Sequence, residues 1–340
     1  MSGTRAGAVA AGLAAGAAAV TTAAVVGGRA LARRREPGRE APGELVALPG
    51  GGRMHALWRR PPEPGESGEP HGPVVVFENA LLSAATEWLW VVEHLGPSVP
   101  YLAYDRAGTG WTPRLPGGLG PDAQAHRLRS LLDALELPPP YVLVGHSVGG
   151  LLIRSFAARY PEAVAGLVFV DASHPDQFER SRVQREALPA FRQNLRVGAA
   201  RAAFGDMYGA LAVSDVGRLP GGAAEATRRR LSRPGPWAGA AAELRECLRT
   251  WNAGARGLTT LSGRPVAVVT AGGTVRGDAV HGRLQEELAG LSPAGEHEVV
   301  PDAGHESLVM DRVHARRVAD AIVRVRERAA ATAGGEGGEQ

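Results

Sequence analysis

Ser147 lies in the stretch "YVLVGHSVGGLLI", residues 141–153, where glycines stand two positions to either side of it at Gly145 and Gly149. In a G-x-S-x-G pattern between a strand and a helix, the serine occupies a sharp, strained turn, and the glycines leave room where side chains would clash. A serine hydroxyl is a weak nucleophile near neutral pH unless a base, an orienting acid and an oxyanion site lie beside it. The pattern predicts a nucleophilic serine, so other segments must supply its partners.

Short apolar runs alternate with helical patterns after residue 44. Most of these runs are continuous rather than alternating, as expected for strands that are covered on both faces. The sequence therefore predicts an α/β fold: a doubly wound, mostly parallel sheet flanked by helices. The predicted strands are 73–79, 101–105, 141–145, 166–171, 265–271 and 296–302, preceded by a hairpin within 44–60, and the clearest helical patterns are 122–137, 151–160 and 283–291.

One long segment interrupts the alternation. Residues 178–260 contain no convincing strand, only amphipathic patches that hold aromatic residues such as Phe204, Trp237 and Trp251. This composition predicts a helical lid whose aromatic residues form its core and, as a group, could roof an apolar pocket. The predicted division is an N-terminal segment and linker at 1–43, a core at 44–177 and 261–331, the lid at 178–260 and a disordered tail at 332–340.

The N-terminal segment 6–28 is uncharged, rich in alanine and glycine, and long enough to cross a bilayer. Arg5 precedes it and several arginines follow it, an arrangement that would keep the remaining domain cytoplasmic if the segment spans a membrane. "ALA" at residues 30–32 resembles a signal-peptidase site, so a cleaved export signal is an alternative, as is a soluble or disordered alanine-rich segment. The prediction is a membrane-associated or exported protein.

Composition excludes several other classes of protein. The single cysteine, Cys247, can form no disulfide within the chain. The net charge of +3 arises without any lysine, and the arginines are mostly scattered among 35 acidic residues, so we expect no nucleic-acid binding. No phosphate loop, H-E-x-x-H motif or Cys/His cluster occurs, so neither a metal nor a cofactor is predicted.

Four blocks in sequence order resemble the α/β-hydrolase superfamily, over nearly the whole chain after about residue 44. "YDRAGTGWT" at residues 104–112 is similar to the D-R-x-G-x-G-x-S/T loop, and the stretch around Ser147 is similar to the nucleophile elbow. "ARYPEAVAGLVFVDASHPDQ" resembles the helix-to-strand passage that follows the elbow, and "PDAGHESLVMDRVHARRVADAI" resembles the terminal histidine loop and last helix. The resemblance implies the fold far more specifically than the substrate.

The resemblance also implies the base and the oxyanion donors. His305 follows the last predicted strand and precedes the final helix, where the family carries its base, while His146 is expected only to pack. An oxyanion hole needs two backbone N–H groups, one from the residue after the nucleophile and one from the loop after the third strand. Val148 is the first. "FENALLSA" stands where relatives carry His-Gly, and that alignment nominates Leu81 as the second.

Several carboxylates compete for the place of the acid. In most relatives the acid follows the strand before the histidine strand, where "VVTAGGTVRGD" offers only the late Asp278. Asp171 ends "GLVFVD" in the alternative place that some lipases of this fold use. Both obey the chain order serine, acid, histidine. We favour Asp171 over Asp278, with Asp176, Glu306 or no acid as remaining alternatives.

Together these features predict a serine hydrolase that cleaves a carboxylic ester or similar acyl bond through an acyl-enzyme intermediate, acting on a small, apolar acyl substrate. A serine in the elbow argues against haloalkane dehalogenases and epoxide hydrolases, which would require aspartate there. The alternatives are the same triad used for acyl transfer or for amide or carbon–carbon bond hydrolysis, and a noncatalytic binding protein of the same fold. The natural substrate, acyl chain length and oligomeric state stay open.

Overall fold

One eight-stranded sheet runs through the part of the chain that the computed structural model describes, which is residues 41–61, 72–205 and 207–336. Its strands are β1 (Glu44–Ala47), β2 (Arg53–Arg59), β3 (Val74–Glu78), β4 (Tyr101–Tyr104), β5 (Tyr141–His146), β6 (Val164–Val170), β7 (Val266–Ala271) and β8 (Gly295–Val300). They lie in the order β1-β2-β4-β3-β5-β6-β7-β8. β2 pairs antiparallel with β1 and β4, and the other neighbours pair parallel.

Helices connect the parallel strands, as the right-handed crossover of a parallel sheet requires. In the described residues they are α1 (Leu89–Leu95), α2 (Pro121–Ala134), α3 (Gly149–Arg159), α4 (Gln177–Arg180), α5 (Arg182–Ala203), α6 (Tyr208–Ala212), α7 (Ala223–Leu231), α8 (Pro234–Glu246), α9 (Asn252–Arg256), α10 (Gly272–Gly277), α11 (Ala279–Ala289), α12 (Ser307–Met310) and α13 (Arg312–Glu336). A π-helical turn at Cys247–Trp251 joins α8 to α9.

The side chains of β5 show how the sheet is covered on both faces. Successive side chains of a strand point to opposite faces, and every residue of β5 is buried. Val142 and Val144 belong to an apolar cluster that includes α1 and α13, whereas Tyr141 and Leu143 belong to a second cluster that includes α2, α3 and α11. Burial on both faces explains why the run is continuously apolar, and the predicted α/β fold with a mostly parallel sheet is confirmed.

The segment between β6 and β7 is helical, from α4 to α9, and its described residues contain no strand. Leu195, Met207 and Trp237 belong to the same apolar cluster as Val142 and Val144 of β5. Gly198 on α5 lies against the indole of Trp237, where a Cβ would come within 2.1 Å of the ring. Phe204 differs from the expectation that the aromatic residues form the core of this segment, because it is 89% exposed at the end of α5.

The two ends of the chain bear on the predicted domain division. β1 begins at Glu44, the predicted start of the core, and the predicted membrane segment 6–28 lies outside the described residues. Within the described residues, we find no helix with the length and apolar character needed to span a bilayer. The last helix, α13, continues to Glu336 and so includes the first part of the predicted tail at 332–340; the alanine run at 329–331, just before the tail, favours a helix.

Candidate active site

Ser147 occupies the turn between β5 and α3. Its φ of 54° lies in the left-handed region, which a non-glycine residue adopts only at some cost, and its amide donates to the carbonyl of Val170 on β6 at 3.1 Å. A Cβ on Gly145 would lie 2.7 Å from the carbonyl carbon of Gly149, and a Cβ on Gly149 would lie 2.4 Å from the Glu78 carbonyl oxygen. The two glycines therefore allow the helix to approach the strand ends and the serine to stand in the turn.

Asp171 and His305 come together at the same edge of the sheet, because parallel strands end at a common edge. Asp171 follows β6 directly and His305 lies in the loop after β8. Asp171 Oδ2 accepts a hydrogen bond from His305 Nδ1 at 2.6 Å. The other ring nitrogen of His305, Nε2, has no hydrogen-bond partner in the described parts of the chain, and Ser147 lines the same cavities as this imidazole.

Asp171 is buried and fully hydrogen-bonded. Its Oδ1 accepts from the Ala271 amide at 3.1 Å and from His281 Nε2 at 3.0 Å, while Thr274 Oγ1 donates to Oδ2 at 2.8 Å. Burial acts to raise the pKa of Asp171, but the charges and hydrogen bonds of His281 and His305 outweigh it and hold the pKa well below its usual range. This carboxylate therefore stays ionised. No sequence pattern predicted the role of His281, which lies on α11 and contacts Asp171.

The other acidic candidates lie in different surroundings. Asp278 caps the N-terminus of α11 by accepting from the Val280 amide at 3.0 Å, and it accepts from Ser181 Oγ at 2.6 Å. Asp176 forms an ion pair with Arg256. Glu306 lines the large cavity described below, and no hydrogen bond joins it to His305 within the described residues. Of the four carboxylates weighed, only Asp171 contacts the imidazole of His305.

The loop after β3 brings Leu81 beside the turn that holds Ser147. The side chain of Leu81 packs against the cluster that contains Val148. The amides of Leu81 and Val148 have no acceptor within the described ranges, whereas the preceding Ala80 amide donates to Glu87 Oε1 at 2.9 Å. Leu82 has a φ of 59°, so the loop turns sharply after Leu81. Unpaired N–H groups beside a serine are suitable donors to an oxyanion.

Two cavities meet at Ser147 and His305, the residues that line both. The large cavity has a volume of about 1090 Å³ including its open mouth, and the small cavity about 600 Å³. The large cavity is mainly apolar and includes the helical segment residues Leu195, Leu211, Val216, Leu219, Leu231 and Trp237. Polar residues outnumber apolar ones along the small cavity and include Ser173, Gln177, Gln184, Thr274, Asp278 and His281, although most of its exposed surface is apolar, as in the large cavity.

Metal ligands would need a cluster of histidine, cysteine or carboxylate side chains. In the part of the chain that the structure describes, no group of three or more such side chains could hold a metal ion. The histidines and carboxylates near Ser147 are instead joined by hydrogen bonds, as in the pair of Asp171 and His305. The expectation of chemistry without a metal or cofactor stays a prediction.

Comparison with known families bears directly on this arrangement. A family model described as the alpha/beta hydrolase fold matches residues 73–310, more than two thirds of the chain. The chain belongs to the alpha/beta hydrolase fold family. The match begins just before β3 and ends at the last residue of α12, so it spans Ser147, Asp171 and His305.

Sequence relatives of this alpha/beta hydrolase match over shorter stretches. An AB hydrolase superfamily protein of Gibberella zeae is 32% identical over 114 residues, which cover 31% of this chain and 34% of that protein. The uncharacterized protein YqjL of Bacillus subtilis is 29% identical over 105 residues, covering 31% and 42% respectively. The matched stretch is thus less than half of the length of either relative.

Solved structures share the fold over most of this alpha/beta hydrolase. A thermophilic esterase from Thermogutta terrifontis superposes with a TM-score of 0.57 at 23% identity, covering 84% of this chain and 100% of that chain. The enol-lactonase from Burkholderia xenovorans gives 0.57 at 18% identity, and a haloalkane dehalogenase loop variant from Bradyrhizobium elkanii gives 0.59 at 21%. These cover 83% and 85% of this chain, and 99% and 98% of their own. The likeness extends to the fold alone.

The imidazole of His305 in this alpha/beta hydrolase is a stronger base than an isolated histidine. Burial lowers its pKa, but the hydrogen bond and charge of Asp171 outweigh burial, and together with the nearby Glu306 and Glu87 they raise the pKa of His305 to about 9. A general base must be neutral to accept a proton. The neutral fraction of His305 therefore increases as the pH rises toward this value.

We expect kcat/KM for an ester to rise by about tenfold per pH unit below the pKa of His305 and to level off above pH 9 or so. Glu306→Gln should move the midpoint to lower pH, because the Glu306 charge raises the pKa of His305. The measurement is the pH dependence of kcat/KM between pH 6 and 10 or so. Asp302→Asn, an exposed change in the same loop, is the control and should leave the midpoint in place. A flat profile would show that His305 is not the titrating base.

Arg106 is buried and joins the loop after β3 of this alpha/beta hydrolase to α8. Arg106 uses all five of its N–H groups: Nε and Nη2 donate to the two oxygens of Glu243 at 2.7 and 2.9 Å, and Nη1 donates to Glu78 Oε2 at 3.1 Å and to the Asn79 carbonyl at 2.7 Å. Nη2 also donates to the Ala80 carbonyl at 3.2 Å. These carbonyls directly precede Leu81, so Arg106 fixes the backbone that carries its amide.

We expect Arg106→Lys to lower kcat by about 10- to 100-fold and to change KM by less than about threefold, because the N–H groups of a single lysine nitrogen cannot replace the planar set that Arg106 directs to two carboxylates and two backbone carbonyls. Glu243→Gln, which keeps the shape of the side chain, should have a smaller effect in the same direction. Kinetics would be measured beside thermal stability, with the surface change Arg159→Lys as control. A rise in KM at unchanged kcat would contradict the role of Arg106 in positioning the Leu81 amide.

His146 does more than pack. Its Nδ1 lies 3.3 Å from Glu87 Oε2 and its Nε2 lies 3.1 Å from the His305 carbonyl oxygen, and its ring lies 4.7 Å from the ring of His305. Both ring nitrogens of His146 thus lie beside oxygen atoms, one of Glu87 and one of the His305 backbone. His146 therefore holds the backbone of His305 in place. From the sequence we expected His146 only to pack.

Proposed function

We propose that this alpha/beta hydrolase is a serine hydrolase that cleaves carboxylic esters through an acyl-enzyme intermediate, with Ser147 as nucleophile, His305 as base and Asp171 as the orienting acid. The observation that carries the proposal is the 2.6 Å hydrogen bond from His305 Nδ1 to Asp171 Oδ2, at a cavity that Ser147 also lines. A buried, ionised carboxylate on Nδ1 leaves Nε2 as the basic nitrogen. The proposal assigns that nitrogen to Ser147.

In the acylation step, Ser147 Oγ attacks the ester carbonyl carbon while His305 Nε2 takes the hydroxyl proton. The amides of Leu81 and Val148 donate to the oxyanion of the tetrahedral intermediate. The bond from the carbonyl carbon to the alcohol oxygen then breaks, and His305 returns the proton to that oxygen. Throughout, Asp171 stabilises the charged imidazole without taking its proton.

In the deacylation step, a water molecule replaces the alcohol. His305 takes a proton from the water, the oxygen attacks the acyl carbon, and the bond to Ser147 Oγ breaks as the proton returns to the serine. The helical segment from α4 to α9 acts as the lid in this proposal, because its apolar side chains cover the large cavity. Covering the site excludes bulk water and strengthens the hydrogen bonds to the oxyanion.

A fluorophosphonate probe tests the proposal on the full chain. The probe phosphonylates a serine that is activated by a neighbouring base, so mass spectrometry should locate the modification on the peptide that contains Ser147. A panel of p-nitrophenyl esters of increasing acyl length should be hydrolysed, with preference for apolar acyl groups that fill the large cavity. Absence of both labelling and turnover, in protein shown to be folded, would instead favour a binding protein of the same fold.

A further inference from the structure

The two cavities that meet at Ser147 differ in the groups that they offer to a substrate. The oxyanion loop residues Ala80, Leu81 and Leu82 line the large cavity only, and most of its remaining surface is apolar. The oxyanion is the carbonyl oxygen of the acyl group, so the acyl group lies next to this loop. The large cavity is accordingly the place for an extended apolar acyl chain, and the small cavity for the alcohol.

The small cavity contains two polar side chains that have no protein partner. Ser173 is 7% exposed and Gln177 is 5% exposed, and both line this cavity. Neither the Ser173 hydroxyl nor the Gln177 side-chain amide forms a hydrogen bond within the described ranges of the chain. Neither side chain is enclosed away from the cavity, so both polar groups are open to it and can form hydrogen bonds with a substrate beside Ser147.

The charged groups of the small cavity are already engaged. Asp171 is bound by His305, His281 and two further donors, and Asp278 is bound by Ser181 and the start of α11. No arginine lines this cavity, and two of its lining residues carry carboxylates. An anionic alcohol such as a phosphate-bearing one would meet repulsion there. The free groups are neutral and can both donate and accept hydrogen bonds.

We infer that the substrates are esters of an apolar acyl group with a small, neutral, polyhydroxylated alcohol, whose free hydroxyl groups bind Ser173 and Gln177 in the small cavity. This inference rests on the proposed function. Hydrolysis proceeds by the steps given above, and the polyhydroxylated alcohol leaves with the proton from His305. An alcohol with no hydroxyl group besides the esterified one would fill the same space but leave both side chains unpaired. A site built for hydroxyl groups discriminates against such a substrate.

The test compares two octanoate esters that differ only in the alcohol, 2,3-dihydroxypropyl octanoate and propyl octanoate. We expect the wild type to favour the dihydroxypropyl ester by about tenfold or more in kcat/KM, since two neutral hydrogen bonds distinguish the two alcohols. Ser173→Ala and Gln177→Leu should each reduce that ratio by about threefold or more. Gln193→Leu, which changes an exposed glutamine of α5, is the matched control and should keep the ratio.

Two further esters test the orientation and the charge of the alcohol. Octyl 2,3-dihydroxypropanoate reverses the substrate, and a higher kcat/KM for it than for 2,3-dihydroxypropyl octanoate would overturn the assignment of the acyl chain to the large cavity. The choline ester of octanoic acid carries a cation, and a preference for it would assign recognition to the carboxylates and overturn the role of Ser173 and Gln177.

The outcomes separate this inference from the proposed function. Equal kcat/KM for the dihydroxypropyl and propyl esters in the wild type would overturn the inference while leaving a serine esterase. A ratio that is unchanged in both Ser173→Ala and Gln177→Leu would also overturn it. If folded wild-type protein hydrolyses none of the esters, the proposed function itself is refuted.

Discussion

Ser147→Ala is expected to lower kcat for ester hydrolysis by about a millionfold and to abolish fluorophosphonate labelling. The proposed chemistry depends on one oxygen atom, and alanine removes it while leaving the turn between β5 and α3 intact. The left-handed φ of 54° at this position disfavours alanine as it does serine, so the fold should be kept. The measurement is turnover under saturating substrate, with the melting temperature of both proteins as the test of folding.

Ser155→Ala provides the matched control for this prediction. Ser155 lies on α3, two turns beyond Ser147, and its hydroxyl donates to the Leu151 carbonyl at 2.9 Å within the helix. It lines neither cavity. The change removes one buried hydroxyl from the same helix without touching the site, so turnover should stay near that of the wild type. Wild-type turnover in Ser147→Ala would exclude the acyl-enzyme mechanism.

Much of the fold could be predicted because its signals are local. A strand that is buried on both faces must be apolar along most of its length, and this property distinguishes β3, β5 and β7 from their surroundings in the sequence. The G-x-S-x-G pattern around Ser147 is also local in the sequence, although the contact that requires Gly149 is with the Glu78 carbonyl on β3, which is distant in the chain. These patterns can be recognised without any knowledge of distant residues.

The environment of the site could not be predicted in the same way. Arg106 and Glu243 are 137 residues apart, and their contact depends on how α8 lies over the sheet. His281 contacts Asp171 across 110 residues from a helix whose orientation the sequence does not reveal. Single polar residues of this kind produce no periodic pattern. Only the three-dimensional arrangement distinguishes a buried partner from a solvated surface residue.

The choice between Asp171 and Asp278 illustrates the same limit at the site itself. Both follow parallel strands that end at one edge of the sheet, so chain order permits either to reach His305. The structure separates them by their partners: Asp171 contacts His305 Nδ1, while Asp278 accepts from Ser181 and caps α11. A cap and a triad acid make different demands on the side chain, and this difference can be tested by asparagine at each position.

Asp171→Asn is expected to lower kcat by about 10⁴-fold, because an amide can neither hold the required tautomer of His305 nor stabilise its charged form. The midpoint of the pH profile should also fall, since the hydrogen bond and charge of Asp171 raise the pKa of His305. Asp278→Asn is the matched control. Asparagine caps helices about as well as aspartate, so folding and turnover should both stay near wild type.

The pair of variants gives a result that no general loss of stability can imitate. If Asp171 is the acid, its variant should remain folded, keep reacting slowly with the fluorophosphonate, and show the shifted pH midpoint, while Asp278→Asn shows none of these changes. The assignment is wrong if Asp278→Asn loses activity by orders of magnitude while Asp171→Asn stays near wild type. A merely structural role of Asp171 would lower the melting temperature but leave the pH midpoint unchanged, because only a carboxylate acting on His305 can move the pKa of that imidazole.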